Sequence, residues 1–314
     1  MEKKMKLAIV VPCYNEEEVL PTTAQTLQKV LQELIDDHEI DRESKIYFVD
    51  DGSTDKTWSL ITELTQKKSC FSGIKLSRNQ GHQFALLAGL FSAKGDAVIS
   101  IDADLQDDVR AIKDMVRHFS QGKEIVYFVR QDRTSDSFFK RITAETFYKL
   151  MNRMGVQTIY NHADYRLLSR RAIECLKSFD EVNYYLRGIV PLLGFEAAIV
   201  YGPRFARLAG ETKYPLKKML GLALEGITSF SISPLRLITL LSFITFTLTL
   251  MMSFWVLGIK FFGNGTVPGW ASTVLPIYFL GGIQLLCAGI IGEYLAKIYR
   301  EVKKRPKYII EKII

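Results

Sequence analysis

Asp102-Ala103-Asp104-Leu105-Gln106 sets two carboxylates one residue apart, directly after Ala97-Val98-Ile99-Ser100-Ile101, a β-branched run that reads as a buried strand. Carboxylates leaving a strand end together are hard oxygen donors, suited to Mg2+ or Mn2+ bridging a diphosphate. In open α/β sheets ligands gather at the carboxyl ends of strands, where loop amides and helix N-termini converge. Taken alone, the pair fits a cap on the helix expected to start near Asp107 at least as well. Its neighbours have to separate the two readings.

Similar edges recur along the chain. Pro12-Cys13-Tyr14-Asn15-Glu16 follows the apolar run 7–11, and Asp50-Asp51-Gly52-Ser53-Thr54-Asp55 follows 46–49. Ser77-Arg78-Asn79-Gln80-Gly81-His82 follows a third strand near 74–76. Helical periodicity fills the intervals at 19–35, from about 53 to 64, at 83–93 and at 109–120. Strand and helix in alternation predict a parallel, doubly wound α/β sheet with a nucleotide site across its carboxyl edge. A further strand, 124–129, ends on Arg130-Gln131-Asp132-Arg133, basic where the earlier edges are acidic. Residues 138–151 read as a helix, and Asn161-His162-Ala163-Asp164-Tyr165-Arg166-Leu167 opens a helix-rich stretch reaching 193. His82 has no second ligand at metal spacing in its segment and reads as a loop residue near the donor.

The 314 residues are 48% hydrophobic, enough for a sizeable core and an anchor besides. Residues 1–203 hold 27 Lys and Arg against 29 Asp and Glu; residues 204–314 hold 14 against 5. A basic segment beside apolar spans points to anionic lipid rather than nucleic acid, for which no recognition motif is present. Residues 237–259 and 270–292 are two uncharged runs of 23, each long enough to cross a bilayer core of about 20 helical residues. Between them lies Gly263-Asn264-Gly265-Thr266-Val267-Pro268-Gly269, a run of turn formers. Residues 216–230 carry apolar positions on one helical face behind Lys213, Lys217 and Lys218, which suits either an interfacial helix or packing on the preceding domain. Arg236 and the cluster Lys297, Arg300, Lys303, Lys304, Arg305 and Lys307 face the hairpin's single Lys260, placing both termini in the cytoplasm. Cys13, Cys70, Cys175 and Cys287 form no CxxC pair and read as reduced thiols, and the apolar run at 7–11 is too short for a signal peptide. The expected organisation is a catalytic domain at 1–212, an interfacial helix at 213–233, a transmembrane hairpin at 234–296 and a basic tail at 297–314.

The motifs VPCYNEEE, VDDGSTD, SRNQGHQFALLAGL, DADLQD, ADYRLLSRR and RLAGETKYP, followed by two spans, resemble the polyprenyl-phosphate glycosyltransferases over essentially the whole chain. These are family-two enzymes of GT-A fold, including dolichol-phosphate mannose synthases and bactoprenol glucosyltransferases. The resemblance implies a nucleobase loop at Pro12, Tyr14 and Glu16, and an acidic pair for base and ribose at Asp50 and Asp51. It implies Mg2+ or Mn2+ ligands at Asp102, Asp104 and Gln106, with Ala103 close to the nucleotide. Arg130 matches an arginine near the diphosphate or acceptor phosphate, Arg207 and Lys213 match cations closing over the site, and Asp164 matches a carboxylate near the acceptor. Three positions depart from the pattern: His82 where relatives often carry lysine, Asp108 where proline is common, and Asn161-His162-Ala163-Asp164 in place of a threonine-glycine run.

The implied reaction is inverting transfer of a hexose from a nucleotide sugar, UDP-glucose first and UDP-N-acetylglucosamine next, to undecaprenyl phosphate at a bacterial inner membrane. A homo-oligomer, a lipid-linked sugar flippase and a downstream glycosyltransferase are implied partners. A lipid phosphate is already anionic near neutral pH, so Asp164 is expected to orient substrates rather than remove an essential proton; an ion pair with Arg166 is the competing role. A processive polysaccharide synthase is a weaker alternative, since no Gln-x-x-Arg-Trp occurs and two spans cannot readily enclose a channel. A non-catalytic nucleotide-sugar-binding scaffold would not need the acidic pair.

Overall fold

The computed structural model describes residues 4–131, 162–179, 181, 184, 186–205, scattered residues between 235 and 255, and 269–314. The chain divides into two units, one of residues 1–153, 157–215 and 305–314, the other of 154–156 and 216–304.

In the first unit β1 (Leu7–Cys13), β2 (Lys45–Asp50), β3 (Phe71–Leu76) and β4 (Ala97–Ser100) alternate with α1 (Leu20–Asp36), α2 (Thr57–Lys67) and α3 (His82–Ser92). These strands pair in parallel in the order β4-β1-β2-β3, as the alternation predicts. α4 (Ala111–Ser120) then leads to β5 (Ile125–Arg130). Beyond it the expected pattern changes. His162–Ser169 is a strand, β6, antiparallel to both β4 and β5. After α5 (Arg170–Lys177) and α6 (Leu186–Leu192), β7 (Ala197–Gly202) adds in parallel to β5. The sheet is therefore mixed, not all parallel.

β6 escapes a periodicity search because its charged positions are not on a wet face. Asp164 and Arg166 alternate with Tyr165 and Leu167, as strand side chains should, yet all four are buried. The two charges can be buried because each is the other's partner, with Arg166 Nη2 2.5 Å from Asp164 Oδ1. Direction matters more than burial for function. An antiparallel strand brings its N-terminal end to the edge where the parallel strands finish. Ser100 pairs with Arg166, so continuing the register sets Asp164 level with Asp102.

One sheet face, with Leu7, Ile9 and Val11, packs under Leu20, Leu27, Leu31 and Leu34 of α1 and Met115 of α4. On the other face α3 lies close enough that a side chain at Gly89 would collide with Val10 and Val49. That close fit fixes the line of α3, whose first residue is His82.

The segment read as a basic tail is ordered. β8 (Ile310–Ile313) pairs antiparallel with β3, and the Ile314 carbonyl accepts from the Gly73 amide at 2.9 Å and from Ser72 Oγ at 2.7 Å. Lys307 Nζ donates to the Phe179 carbonyl at 3.2 Å and lies over the Tyr184 ring.

In the second unit α7 (Trp270–Lys303) contains the expected second span. Among the described residues one helix, Phe279–Lys303, is long and apolar enough to cross a membrane. None of it is buried, and Phe279, Leu285 and Leu295 are exposed. Ten of the 23 residues of the expected first span lie outside the described residues; those described between 235 and 255 are helical, with Leu240, Phe243 and Phe254 exposed. The expected interfacial helix, the helix at 138–151, Arg133, Arg207 and Lys213 also lie outside the described residues.

Candidate active site

The loops after β1 and β2 are tied together. Asn15, in the left-handed region at φ 53°, donates its amide to Ser53 Oγ at 3.0 Å and accepts from the Thr54 amide on Oδ1 at 2.9 Å. The Glu16 amide donates to Thr57 Oγ1 at 2.9 Å. Pro12 is buried in β1, whereas Tyr14 is 46% exposed, leaving its ring open to a base.

Asp50 and Asp51 part ways. Asp51 accepts the Gln80 amide on Oδ1 at 2.8 Å and the Gly81 amide on Oδ2 at 2.9 Å, which binds the third loop to the second. Gly52 permits this approach: it sits at φ +67°, and a Cβ there would lie 2.6 Å from the Asn79 nitrogen. Asp50 Oδ1 accepts from the Ser53 amide at 3.3 Å, but its buried Oδ2 has no hydrogen-bond partner among the described residues. Burial raises the Asp50 pKa, against the two Ser53 hydrogen bonds. A buried acceptor without a donor costs free energy, which a nucleobase N–H or ribose hydroxyl would recover.

The acidic motif is held from three sides. The Ile101 amide continues the β1 pairing onto the Val10 carbonyl at 3.1 Å. Thr23 Oγ1 of α1 donates to the Ala103 carbonyl at 2.6 Å, and Ser100 Oγ donates to the Asp164 carbonyl at 2.6 Å. Burial raises the Asp102 pKa; Asp164, Asp104 and Asp107 push it further up, while His82 opposes them. His82 Nε2 stands 3.4 Å from Asp102 Oδ1 and 3.9 Å from Asp164 Oδ2, between the acidic motif and β6. No three His, Cys, Asp or Glu side chains enclose a metal site among the described residues. Asp102 and Asp104 still fit Mg2+ or Mn2+, because such ions are commonly held by one or two carboxylates with substrate phosphates and water filling the rest. Gln106 turns elsewhere: its Oε1 accepts from Arg204 Nη2 at 2.8 Å and Nε at 3.3 Å.

On the far side of Asp102 the two buried carboxylates among the described residues, Asp107 and Asp164, each hold an arginine. Arg130, at the carboxyl end of β5, grips Asp107 through Nε at 2.7 Å and Nη2 at 2.9 Å. Asp164 Oδ1 accepts from Arg166 Nη2 at 2.5 Å and Arg187 Nε at 3.1 Å; Oδ2 accepts from Arg187 Nη2 at 3.0 Å and Gln83 Nε2 at 3.5 Å. Burial would raise the Asp164 pKa, but Arg187 and Arg166 outweigh it and hold the carboxyl well below the usual range. Asp107, Arg187 and Arg204 are functional-site neighbours that the sequence reading does not single out. Asp107 stands inside a motif it quotes; nothing local marks Arg187.

The family model for glycosyl transferase family 2 matches residues 8–177. The chain belongs to that family. It is 52% identical over 307 residues to the uncharacterized glycosyltransferase YkoT of Bacillus subtilis, covering 97% of this chain and 91% of the relative. It is 40% identical over 311 residues to the prophage bactoprenol glucosyl transferase homolog of Escherichia coli, covering 98% of this chain and 99% of the relative. The bactoprenol glucosyl transferase of Shigella phage SfII is 41% identical over 310 residues, with 98% of each chain covered. Among solved structures, Staphylococcus aureus TarS 1–349 in complex with UDP-GlcNAc has a TM-score of 0.45 at 15% identity, over 73% of this chain and 68% of that one. The family-2 chain thus has a GT-A-like mixed α/β sheet and is a glycosyltransferase.

Proposed function

We propose that this glycosyltransferase moves one hexose, with inversion, from a nucleotide sugar to undecaprenyl phosphate at the cytoplasmic face of a bacterial inner membrane. UDP-glucose is the first donor to test and UDP-N-acetylglucosamine the second. The reading rests above all on Asp102 and Asp104 at the carboxyl edge of the sheet, in a chain matching named bactoprenol glucosyl transferases from end to end.

Asp50 Oδ2, with Tyr14 above the same loops, is suited to the nucleoside. Asp102 and Asp104 would hold the divalent ion, with Gln106 braced behind them on Arg204. When bound, that ion supplies Lewis-acid neutralisation of the departing diphosphate. The Phe205 amide donates to the Gln106 carbonyl at 2.8 Å, and Asp107 bridges to Arg204. Arg207 lies two residues beyond Phe205 in the sequence. That anchorage favours Arg207 and Lys213 as phosphate-binding cations over the donor. The acceptor phosphate arrives already ionised, so a nucleophile is available without a strong base. The ion pairs around Asp164 fit orientation better than proton transfer.

The exposed apolar surface of Phe279–Lys303, the uncharged run 237–259 before it and the basic residues from Lys297 to Lys307 support membrane residence with both termini inside, and on this reading 213–233 lies in the interface. A homo-oligomer, and supply of product to a flippase and a later transferase, complete the proposal. Purified full-length protein incubated with Mg2+ or Mn2+, undecaprenyl phosphate and a panel of nucleotide sugars should give a lipid carrying one sugar. Absence of lipid-linked sugar with every donor would overturn the reading.

A further inference from the structure

Asp164 uses both oxygens on protein donors, yet only one of its arginines is out of reach of a ligand. Arg166 is 1% exposed in its side chain, whereas Arg187, on α6, is 31% exposed. A two-bond grip, Nε to Oδ1 and Nη2 to Oδ2, fixes the plane of the Arg187 guanidinium. Arg130 is fixed the same way by Asp107, whose side chain is 2% exposed. Both lie at one edge of the sheet: Arg130 ends β5, β5 pairs with β6, and Asp164 of β6 holds Arg187. Two guanidinium groups, each held in a fixed plane by its own buried carboxylate at a ligand-binding edge, are suited to receive an anion across them.

We propose that Arg187, with Arg130, forms the seat for the acceptor's phosphate monoester, and that Asp164 is the positioning residue that aims Arg187. This rests on the transfer to a polyprenyl phosphate proposed above. The donor diphosphate already has the Asp102-Asp104 metal pair and the Arg207–Lys213 loop to meet its charge. The incoming phosphate has no metal of its own and must be steered and oriented by fixed cations. The register that sets Asp164 level with Asp102 brings this seat beside the position where the sugar–phosphate bond breaks. Planar guanidinium groups suit such an anion because each can offer two parallel N–H donors to phosphate oxygens.

The test uses the full-length protein in detergent or nanodiscs. Steady-state rates are measured with donor and lipid phosphate varied separately, alongside calorimetric binding of a short-chain isoprenyl phosphate without donor. Arg187→Ala should raise KM for the lipid phosphate about tenfold or more, leave KM for the nucleotide sugar and binding of Mn2+·UDP within about twofold, and weaken isoprenyl phosphate binding in parallel. Arg187→Lys should restore part of the loss, because it returns the charge without the fork. Asp164→Asn should reproduce the acceptor defect. Should it unfold instead, the two Arg187 variants carry the test, with Mn2+·UDP binding as their fold control. Unchanged acceptor affinity in Arg187→Ala, or a larger defect for the nucleotide sugar than for the lipid phosphate, would overturn the assignment. The calorimetric arm stands even if no donor supports transfer by the wild type, in which case the reaction fails and the phosphate seat is judged by binding alone.

Discussion

The two halves of the sheet edge use carboxylates in opposite ways. Along β1 to β4 Asp51 ties two loops together, but Asp50 keeps a buried oxygen with no partner among the described residues, and Asp102 is raised by burial and neighbouring carboxylates. Along β5 to β7 the acids face arginines of the same chain: Asp107 holds Arg130, and Asp164 holds Arg166 and Arg187. On the proposed function the first half receives a cation and a nucleoside. The second is complete in its carboxylates and presents positive charge instead. A transfer between two phosphate-bearing substrates needs both kinds of surface, one to bind a metal-complexed diphosphate and one to receive a bare phosphate.

Substitutions can break that contrast. Asp107→Ala strands the mostly buried Arg130 guanidinium and should cost about 3–5 kcal/mol, read as a lower melting temperature. Asp104→Asn should leave melting nearly unchanged but lower turnover at least about a hundredfold, and chelating the divalent ion should do the same to the wild type. If both variants behaved alike, the division of the edge into a guest-binding half and a self-paired half would fail. Asp50→Asn, which offers an amide where the orphaned carboxylate oxygen stands, should weaken UDP binding about tenfold by calorimetry without a comparable effect on the acceptor.

The smallest expected change concerns Asp164 and pH. Its carboxyl is depressed in the folded protein relative to its ordinary value of 3.8, so its stabilising ion pairs are fully present above that value and are lost as pH falls below it. The stability difference between wild type and Asp164→Asn should therefore stay level at neutral pH and shrink only in acid. A difference that changed between pH 6 and 8 would point instead to a carboxyl titrating as a general base.

The contrast also explains what could be read from the chain. β1 to β4 and the helices between them are local αβ units, each announced by an apolar run and a polar loop, so Asp102 could be set at a strand end from sequence. β6 could not be assigned the same way, because its charged residues are interior and their partners lie at distant positions: Arg187 meets Asp164 across 23 residues, and Ser100 meets it across 64. The alternation of Asp164 and Arg166 with Tyr165 and Leu167 was the available signal, but period two ordinarily implies one wet face. β8 offered less still, since a short apolar end after a run of lysines and arginines becomes a strand only when the β3 edge is there to receive it. The motif resemblance named the acids of the nucleotide half. It left Arg187 and Arg204 unnamed because their roles arise from side chains they contact, not from a pattern they belong to.

The most direct measurement is sugar transfer by purified wild type and Asp104→Asn in the same membrane mimic, with undecaprenyl phosphate, Mn2+ and the donor panel. The account predicts a lipid bearing one hexose from the wild type, lost on chelation and lost in Asp104→Asn while melting is preserved. Product formed equally by Asp104→Asn, or unaffected by chelation, would contradict it.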